Sequence, residues 1–229
     1  MKKVLSVVLI WSMLCIPCRA SESVRIYGDS QFVSHAQQDK IYDCLERPEY
    51  RWMLREIKGI VFLVVGIIEQ ESGGNGSAVS ATNDYGLCQI NITANQDRIY
   101  KLGVTNLLDE DQSILVCVDI LNDHFKNYYE SWMPDYGNVL MHYNGTPNAT
   151  EKYKRGEYSD YAKKILARFD EMYREASVRE KIESKKNETM EIFARIPKSF
   201  SSGNRIDRES CRKYCRAFEK DLAVRWCVE

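Results

Sequence analysis

The chain has 229 residues, of which 44% are hydrophobic and 28% charged, and this composition excludes a disordered or fibrous protein. It indicates one globular domain with room for a helical appendage. The 32 basic and 33 acidic residues give a formal net charge of −1, so the overall positive field of a nucleic-acid-binding protein is absent. Beyond the N-terminus the apolar stretches are shorter than the roughly 18 residues of a membrane-spanning helix, so we expect no stable membrane span.

The first 20 residues have the pattern of an export signal. Two lysines precede an apolar run, Val4–Pro17, and a small residue, Ala20, follows it. We predict cleavage after Ala20, which changes the net charge from −1 to −4 because three basic residues and no acidic one are lost. A lipoprotein anchor on Cys15 or Cys18 is the alternative, but neither cysteine follows the small residue that such processing favours.

Six cysteines remain after this cleavage: Cys44, Cys88, Cys117, Cys211, Cys215 and Cys227. An even number in an exported chain predicts disulfide bonds, and six cysteines allow about 15 pairings, among which the sequence does not choose. Zinc binding is the alternative. These six include no Cys-x-x-Cys pair, and the three histidines of the chain are far apart in sequence, so we expect no metal.

The segment Arg51–Ser72 contains the most apolar part of the chain after the export signal. Its pattern predicts one helix. Its apolar residues from Ile60 to Ile68 cover every face of a helix, which is typical of a helix buried all round. A parallel-sheet strand is the alternative for this β-branched run, but helix-forming residues flank it on both sides. Gly73 and Gly74 end it.

Most of the remaining chain also has a helical pattern. Residues 21–38 are predicted to be irregular, and Asn75–Asn91 a loop or short hairpin-like excursion. Further helices are predicted over Asp39–Glu46, Thr93–Leu102, Asp111–Tyr129, Asn138–Tyr143, Tyr158–Lys181 and Asp207–Trp226. We therefore expect a mainly α fold, with a helical domain over residues 21–175 and a charged, cysteine-containing helical extension over 176–229. Cys211 and Cys215 share one face of the last helix, which suggests a cap stapled by disulfides.

Glu71 is the strongest candidate for a catalytic residue. It ends the apolar helix, so the helix dipole and the adjacent low-dielectric core both disfavour its ionised form. A carboxyl group with a raised pKa is a general acid at neutral pH. Glu69 lies about 200° further round the helix and is predicted to be an exposed surface charge.

Three separated motifs around Glu71 resemble those of a known family. They are Glu71-Ser72-Gly73-Gly74-Asn75, the segment Asp84–Asn91 with its Gly-Leu-Cys-Gln-Ile core, and the triplet His142-Tyr143-Asn144. Their order and spacing resemble the soluble lytic transglycosylase (SLT) family, and the resemblance extends over roughly residues 56–169. Three positions depart from the family pattern: Cys88 replaces methionine, Ser113 asparagine, and His142 alanine. We expect the His142 imidazole to point to solvent.

The resemblance implies a lysozyme-like fold and an activity. The implied substrate is peptidoglycan, cleaved between N-acetylmuramic acid (MurNAc) and N-acetylglucosamine (GlcNAc) without a cofactor. Glu71 would act first as acid and then as base towards the C6 hydroxyl, which closes a 1,6-anhydro ring. Ser80 and Gln89 would line the groove, Tyr143 would orient Glu71, and Asn144 would hold the helix end or bind the N-acetyl group.

Two other functions stay open. A hydrolytic muramidase needs a second carboxylate, for which Asp84 is the nearest candidate, although its expected role is to turn the loop. A non-catalytic scaffold that binds cell wall beside a secretion or conjugation apparatus is the other possibility. For all three functions we expect a periplasmic or extracellular protein whose partner is the glycan strand, with secretion or conjugation machinery as a further partner.

Overall fold

The structure, a computed structural model, describes residues 25–128 and 135–194. The predicted export signal, the predicted last helix, and Cys211, Cys215 and Cys227 lie outside these residues. The chain divides into two compact units, one up to Ala176 and one from Ser177. The described residues form α1 (His35–Leu45), α2 (Arg51–Glu56), α3 (Ile60–Glu71), β1 (Asp84–Tyr85), β2 (Ile90–Asn91), α4 (Gln96–Lys101), α5 (Glu110–Tyr128), α6 (Tyr136–Tyr143), α7 (Ala149–Lys154) and α8 (Asp160–Ala194).

Helix α3 lies at the centre of the first unit. All nine residues from Ile60 to Ile68 are buried, so the predicted helix with no exposed face is confirmed. Gly66 allows a close approach by α8, because a Cβ at this position would lie 3.1 Å from Ile165 Cγ2. The helix becomes partly exposed only at its C-terminal end, where Glu69 and Glu71 lie.

The prediction of one continuous helix from Arg51 to Ser72 is wrong. Ile57 is extended and buried, and Gly59 has a φ of +70°, so the chain breaks between α2 and α3. A Cβ on Gly59 would lie 2.8 Å from Tyr173 and 2.9 Å from Phe169. Position 59 therefore favours glycine for two reasons, the left-handed backbone and the close packing against α8.

Helix α1 begins four residues earlier than predicted. Ser34 and Gln37 form a capping box, in which the Ser34 hydroxyl accepts from the Gln37 backbone N–H and the Gln37 side chain accepts from the Ser34 N–H. The buried Gln38 amide then bonds both the backbone N–H and the carbonyl of Gly28. These bonds tie the irregular segment before α1 to the helix.

The predicted hairpin-like excursion is confirmed as an antiparallel pair, in which Asp84 lies opposite Asn91 and Tyr85 opposite Ile90. Gly86 has a φ of +75°, and a Cβ there would lie 1.8 Å from the Leu107 carbonyl oxygen. The hairpin is therefore packed closely against the connection between α4 and α5. Beneath it, the Ser113 hydroxyl accepts a hydrogen bond from the Cys88 N–H at 3.1 Å.

The last helix among the described residues, α8, is longer than predicted, and the short helix α7 was not predicted. In the first unit α8 buries Ala162, Ile165, Phe169, Met172 and Ala176 at spacings of three and four residues. In the second unit the side chains of residues 178–187 are exposed. Within the described ranges, every helix is too short or too polar to cross a membrane.

The expected disulfides are not found at the three described cysteines. Cys44, Cys88 and Cys117 are free thiols buried in the apolar core, where a thiol packs as a small hydrophobic group. Burial raises the pKa of Cys44 to about 12 and raises that of Cys88 well above its ordinary value. Cys88 and Cys117 come from the hairpin and α5, and their thiols interact directly.

Candidate active site

Glu71 lies where the buried helix α3 reaches the protein surface. Burial raises the pKa of its carboxyl group, the hydrogen bond from Tyr161 lowers it, and the negative charge of Asp84 raises it, with a net upward shift. The direction of this shift agrees with the expectation from the sequence. Its largest cause is burial, which leaves the carboxyl group little water to stabilise a charge.

Tyr161, on α8, holds the Glu71 carboxyl group. Its hydroxyl donates a hydrogen bond of 2.6 Å to Glu71 Oε1. Tyr143 is the predicted partner of Glu71, but its hydroxyl donates to the Cys88 carbonyl at 3.3 Å. One sequence signal could have revealed Tyr161, because it lies four residues before the buried Ile165 on a helical pattern and therefore on the same face.

Asp84 is surrounded by hydrogen-bond donors. The hydroxyls of Ser80 and Thr82 donate to its Oδ2 at 2.7 and 2.6 Å, and the Asn91 amide donates to Oδ1 at 2.8 Å. These bonds hold the pKa of Asp84 below its ordinary value. Ser80, which was predicted to line the groove, therefore has its hydroxyl bound to Asp84.

The two other predicted contacts of the substrate are at the edges of this site. Gln89 has a φ of +47°, and its amide donates to the carbonyls of Ala78 and Gly86 at 3.1 and 3.0 Å. Asn144 is exposed and caps the C-terminal end of α6. Their roles in binding sugar stay predictions.

The prediction that His142 points to solvent is wrong. Its ring stacks on that of Tyr128 at a centroid distance of 4.0 Å and an angle of 9°, and its Nε2 lies 3.2 Å from Thr150 Oγ1. Burial lowers the pKa of His142. A stacked, hydrogen-bonded imidazole next to Tyr143 is part of the packing between α5, α6 and α7.

Glu69 was predicted to be an exposed surface charge, and this prediction is wrong. Its side chain is only 11% exposed and forms an ion pair with Arg168 of α8, with a distance of 2.8 Å between Nε and Oε2. The Ser30 hydroxyl donates to its other oxygen at 2.5 Å, and Arg168 also binds the Asp29 carbonyl. The partners of Glu69 are 39 and 99 residues away in sequence, so helical periodicity alone could not predict them.

The site is thus built from the end of α3, the hairpin, the end of α6 and the start of α8. Residues 58–166, which include all four, match the family model of the transglycosylase SLT domain. The chain carries an SLT domain. Its mainly helical, lysozyme-like fold follows from this match and from the observed helices, and the domain indicates peptidoglycan cleavage of the lytic transglycosylase type.

No curated protein matches the sequence. In the described part of the chain, no three His, Cys, Asp or Glu side chains are grouped as a metal site requires. At the end of α3 the Tyr161 hydroxyl binds the Glu71 carboxyl group, and the charge of Asp84 contributes to the raised pKa of Glu71. This arrangement is suited to proton transfer and to the stabilisation of positive charge.

Proposed function

We propose that this SLT protein is an exported peptidoglycan lytic transglycosylase that cleaves the bond between MurNAc and GlcNAc and leaves 1,6-anhydro-MurNAc ends. The observation that carries the proposal is the Glu71 carboxyl group, which is half-buried at the end of the central helix, has a raised pKa and is held by Tyr161. A carboxyl group whose pKa is raised keeps its proton to higher pH and is suited to act as a general acid.

In the first step, the proton of Glu71 passes to the glycosidic oxygen as the bond from that oxygen to the anomeric carbon breaks. Oε1 of Glu71 accepts from the Tyr161 hydroxyl, so Oε2 is the oxygen that carries the proton. The electron pair of the broken bond stays with the leaving oxygen, and positive charge develops on the sugar ring.

In the second step, ionised Glu71 takes the proton of the C6 hydroxyl of the same sugar. The C6 oxygen then bonds to the anomeric carbon and closes the anhydro ring, and no water is consumed. The Tyr161 hydrogen bond stabilises the carboxylate between the two steps. The attack is intramolecular, so positioning supplies much of the rate enhancement.

The substrate supports an extracytoplasmic location, because peptidoglycan lies outside the cytoplasm. The signal pattern in residues 1–20 supports export of the chain. We further propose that residues 176–229 form a separate extension that serves partner binding, with a secretion or conjugation apparatus as the partner. The charged composition of this extension supports a solvated helix.

The substitution Glu71→Gln tests the proposal. The amide keeps the shape of the side chain but cannot donate an acidic proton, so digestion of purified sacculi should fall at least about a hundredfold. Gln70→Ala, at the exposed neighbouring position, is the matched control and should digest at the parent rate.

Mass spectrometry of the muropeptides identifies the reaction. The transglycosylase yields products lighter by one water than those of a hydrolase. Hydrated products would show that the chain is a muramidase, and undiminished digestion by the Glu71→Gln variant would rule out the catalytic assignment.

A further inference from the structure

Three rings form a cluster where α6 packs against α5. His124 and Tyr128 lie four residues apart and so on one face of α5, and His142 comes from α6. The His142 ring stacks on Tyr128 at 4.0 Å, and the His124 ring lies 5.9 Å from His142 and 6.1 Å from Tyr128, measured between ring centroids. We call these three residues the ring cluster. Because His142 departs from the SLT pattern, the cluster is a feature of this chain.

The ring cluster joins the helices that carry one side of the candidate active site. His142 Nε2 lies 3.2 Å from the Thr150 hydroxyl oxygen on α7, so this imidazole contacts both α5 and α7. The next residue of α6, Tyr143, donates its hydroxyl to the Cys88 carbonyl at 3.3 Å. Cys88 lies between β1 and β2, in the hairpin of the candidate active site. The hairpin is therefore held by a helix whose own position depends on the ring cluster.

In the part of the chain that the structure describes, His124 faces no carboxylate that is free to neutralise it. Arg98 on α4 and Asp123 on α5 face His124, and Glu151 on α7 faces His142. Arg98 already binds Asp123 at 2.8 Å. A proton on His124 would therefore place a positive charge near Arg98, and also near His142 once that ring is protonated. Charges of like sign at such distances repel each other, and more strongly in a partly buried place than in water.

Both imidazoles are partly buried, which favours their neutral forms. Burial, the charge of His142 and the charge of Arg98 lower the pKa of His124 to about 4, and burial lowers the pKa of His142. In an unfolded chain the pKa of histidine is about 6.5. Because the folded values are lower, the two neutral imidazoles stabilise the fold above about pH 6.5, and this stability is lost as the pH falls towards about 4.

We propose that the ring cluster is an acid-sensitive joint, which holds α6 on α5 while both imidazoles are neutral and releases it when both are protonated. A single proton on His142 is tolerated, because Glu151 faces this ring and the face of Tyr128 accommodates a cation. The second proton, on His124, is repelled by His142 and Arg98 and opens the joint. Opening separates α6 from the hairpin, so acid loosens the protein on the side of its candidate active site.

The substitution His124→Gln tests the joint, because glutamine is polar but takes up no proton. Between neutral pH and about pH 4, the Tm of the parent should fall about 5 °C further than the Tm of this variant. His35→Gln is the matched control. His35 is the remaining histidine of the chain and also stacks on a tyrosine, Tyr27, at 4.6 Å, but it lies on α1, outside the ring cluster. The Tm of this control should fall as much as that of the parent.

A second variant, His142→Ala, keeps the test decisive if His124→Gln does not fold. Alanine is the residue of the SLT pattern at this position, and it removes the charge that opposes a proton on His124. The Tm of His142→Ala should therefore also fall less with acid than the Tm of the parent.

Two further measurements locate the opening. Hydrogen exchange followed by mass spectrometry, with every chain at the same acid pH, should be faster in α6 and α7 of the parent than in those of His124→Gln, and equal in α1. Proton NMR of the folded parent should show one imidazole that titrates well below about pH 6.5 and whose signal is missing from His124→Gln.

Four results would overturn the proposal. They are an acid-induced fall in Tm that is as large in His124→Gln and His142→Ala as in the parent, a fall that is reduced equally in His35→Gln, equal exchange of α6 in the parent and His124→Gln, and a His124 signal that titrates near about pH 6.5. None of these measurements needs activity. The proposal therefore does not rest on the proposed function, and an active Glu71→Gln variant would contradict that function alone.

Discussion

Two side chains act on the Glu71 carboxyl group in opposite directions. The Tyr161 hydroxyl donates to it and stabilises the carboxylate, whereas the Asp84 charge destabilises the carboxylate. Burial adds to the effect of Asp84, and the net result is a raised pKa. The pKa of Glu71 therefore depends on opposing interactions, and a single substitution can raise or lower it.

Replacing Tyr161 by phenylalanine should move the alkaline side of the pH profile to higher pH. The lost hydrogen bond had lowered the pKa of Glu71, so in the variant this pKa rises and the acid form persists to higher pH. The alkaline limb of kcat/KM moves up, and the rate at the optimum falls about tenfold because the carboxyl group is less well oriented.

Tyr143→Phe is the matched control for this prediction. It removes a hydroxyl whose partner is the Cys88 carbonyl, so the alkaline limb should stay in place. If Tyr143→Phe shifted the limb and Tyr161→Phe did not, the roles of the two tyrosines would have to be exchanged.

At this scale the sequence could predict Glu71 but not its neighbours. Glu71 follows directly from an apolar run that ends at two glycines, which is a local signal. Tyr161 is 90 residues away, and the bond is made by a side chain on another helix. The SLT motifs predicted that Tyr143 lies close to the site, but a motif does not specify the direction of a side-chain hydroxyl.

At the scale of elements, the C-terminal end of α3 is fixed to α8 by one half-buried ion pair. Arg168 binds Glu69 and the Asp29 carbonyl at once, so it joins the segment before α1, the end of α3 and α8. Ser30 adds a hydrogen bond from the same early segment. The backbone that carries Glu71 is two residues from this junction.

Glu69→Gln should destabilise the protein, because it removes the half-buried carboxylate of the pair and leaves Arg168 with only the exposed carboxylate of Glu171. A hydrogen bond to a charged group contributes about 2 kcal/mol, which for a protein of this size corresponds to a decrease in Tm of about 5 °C. The exposed neighbour is the control, and Gln70→Ala should leave Tm unchanged. A Glu69→Gln variant with the same Tm as Gln70→Ala would mean that the ion pair contributes nothing to stability.

Periodicity predicted most of the helices but not where they break. The apolar pattern identified α3 and α5 because each has a long buried face. The break at Gly59 has no local signal apart from the glycine itself, since it depends on the close approach of Phe169 and Tyr173 from α8. The early start of α1 has a local signal, the Ser34–Gln37 capping box, which the predicted start at Asp39 leaves out.

At the scale of the whole molecule, the first unit needs more of α8 than the family match covers. The SLT match ends at residue 166, but Phe169, Met172 and Ala176 beyond it are buried. A Cβ on Gly28 would lie 2.8 Å from Met172 Sδ, which shows how closely the early segment packs on this part of α8.

Two truncated chains test where the catalytic body ends. A chain ending at Leu166 loses two large buried side chains, each of which contributes about 1.5–3 kcal/mol, and it also loses Arg168, the partner of Glu69. That loss is comparable to the whole free energy of unfolding of an ordinary domain, about 5–15 kcal/mol. We expect this chain to lose its cooperative thermal transition.

A chain ending at Lys198, which lacks residues 199–229, should keep both the Tm of the parent and its rate of sacculus digestion. The reason is that Glu71, Asp84, Tyr161 and the buried face of α8 all lie in the first unit, up to Ala176. Circular dichroism during heating and release of muropeptides measure the two properties. A folded but inactive chain would show that the removed segment contributes to the reaction, and a Leu166 chain with the parent Tm would show that the packing beyond the SLT match is dispensable.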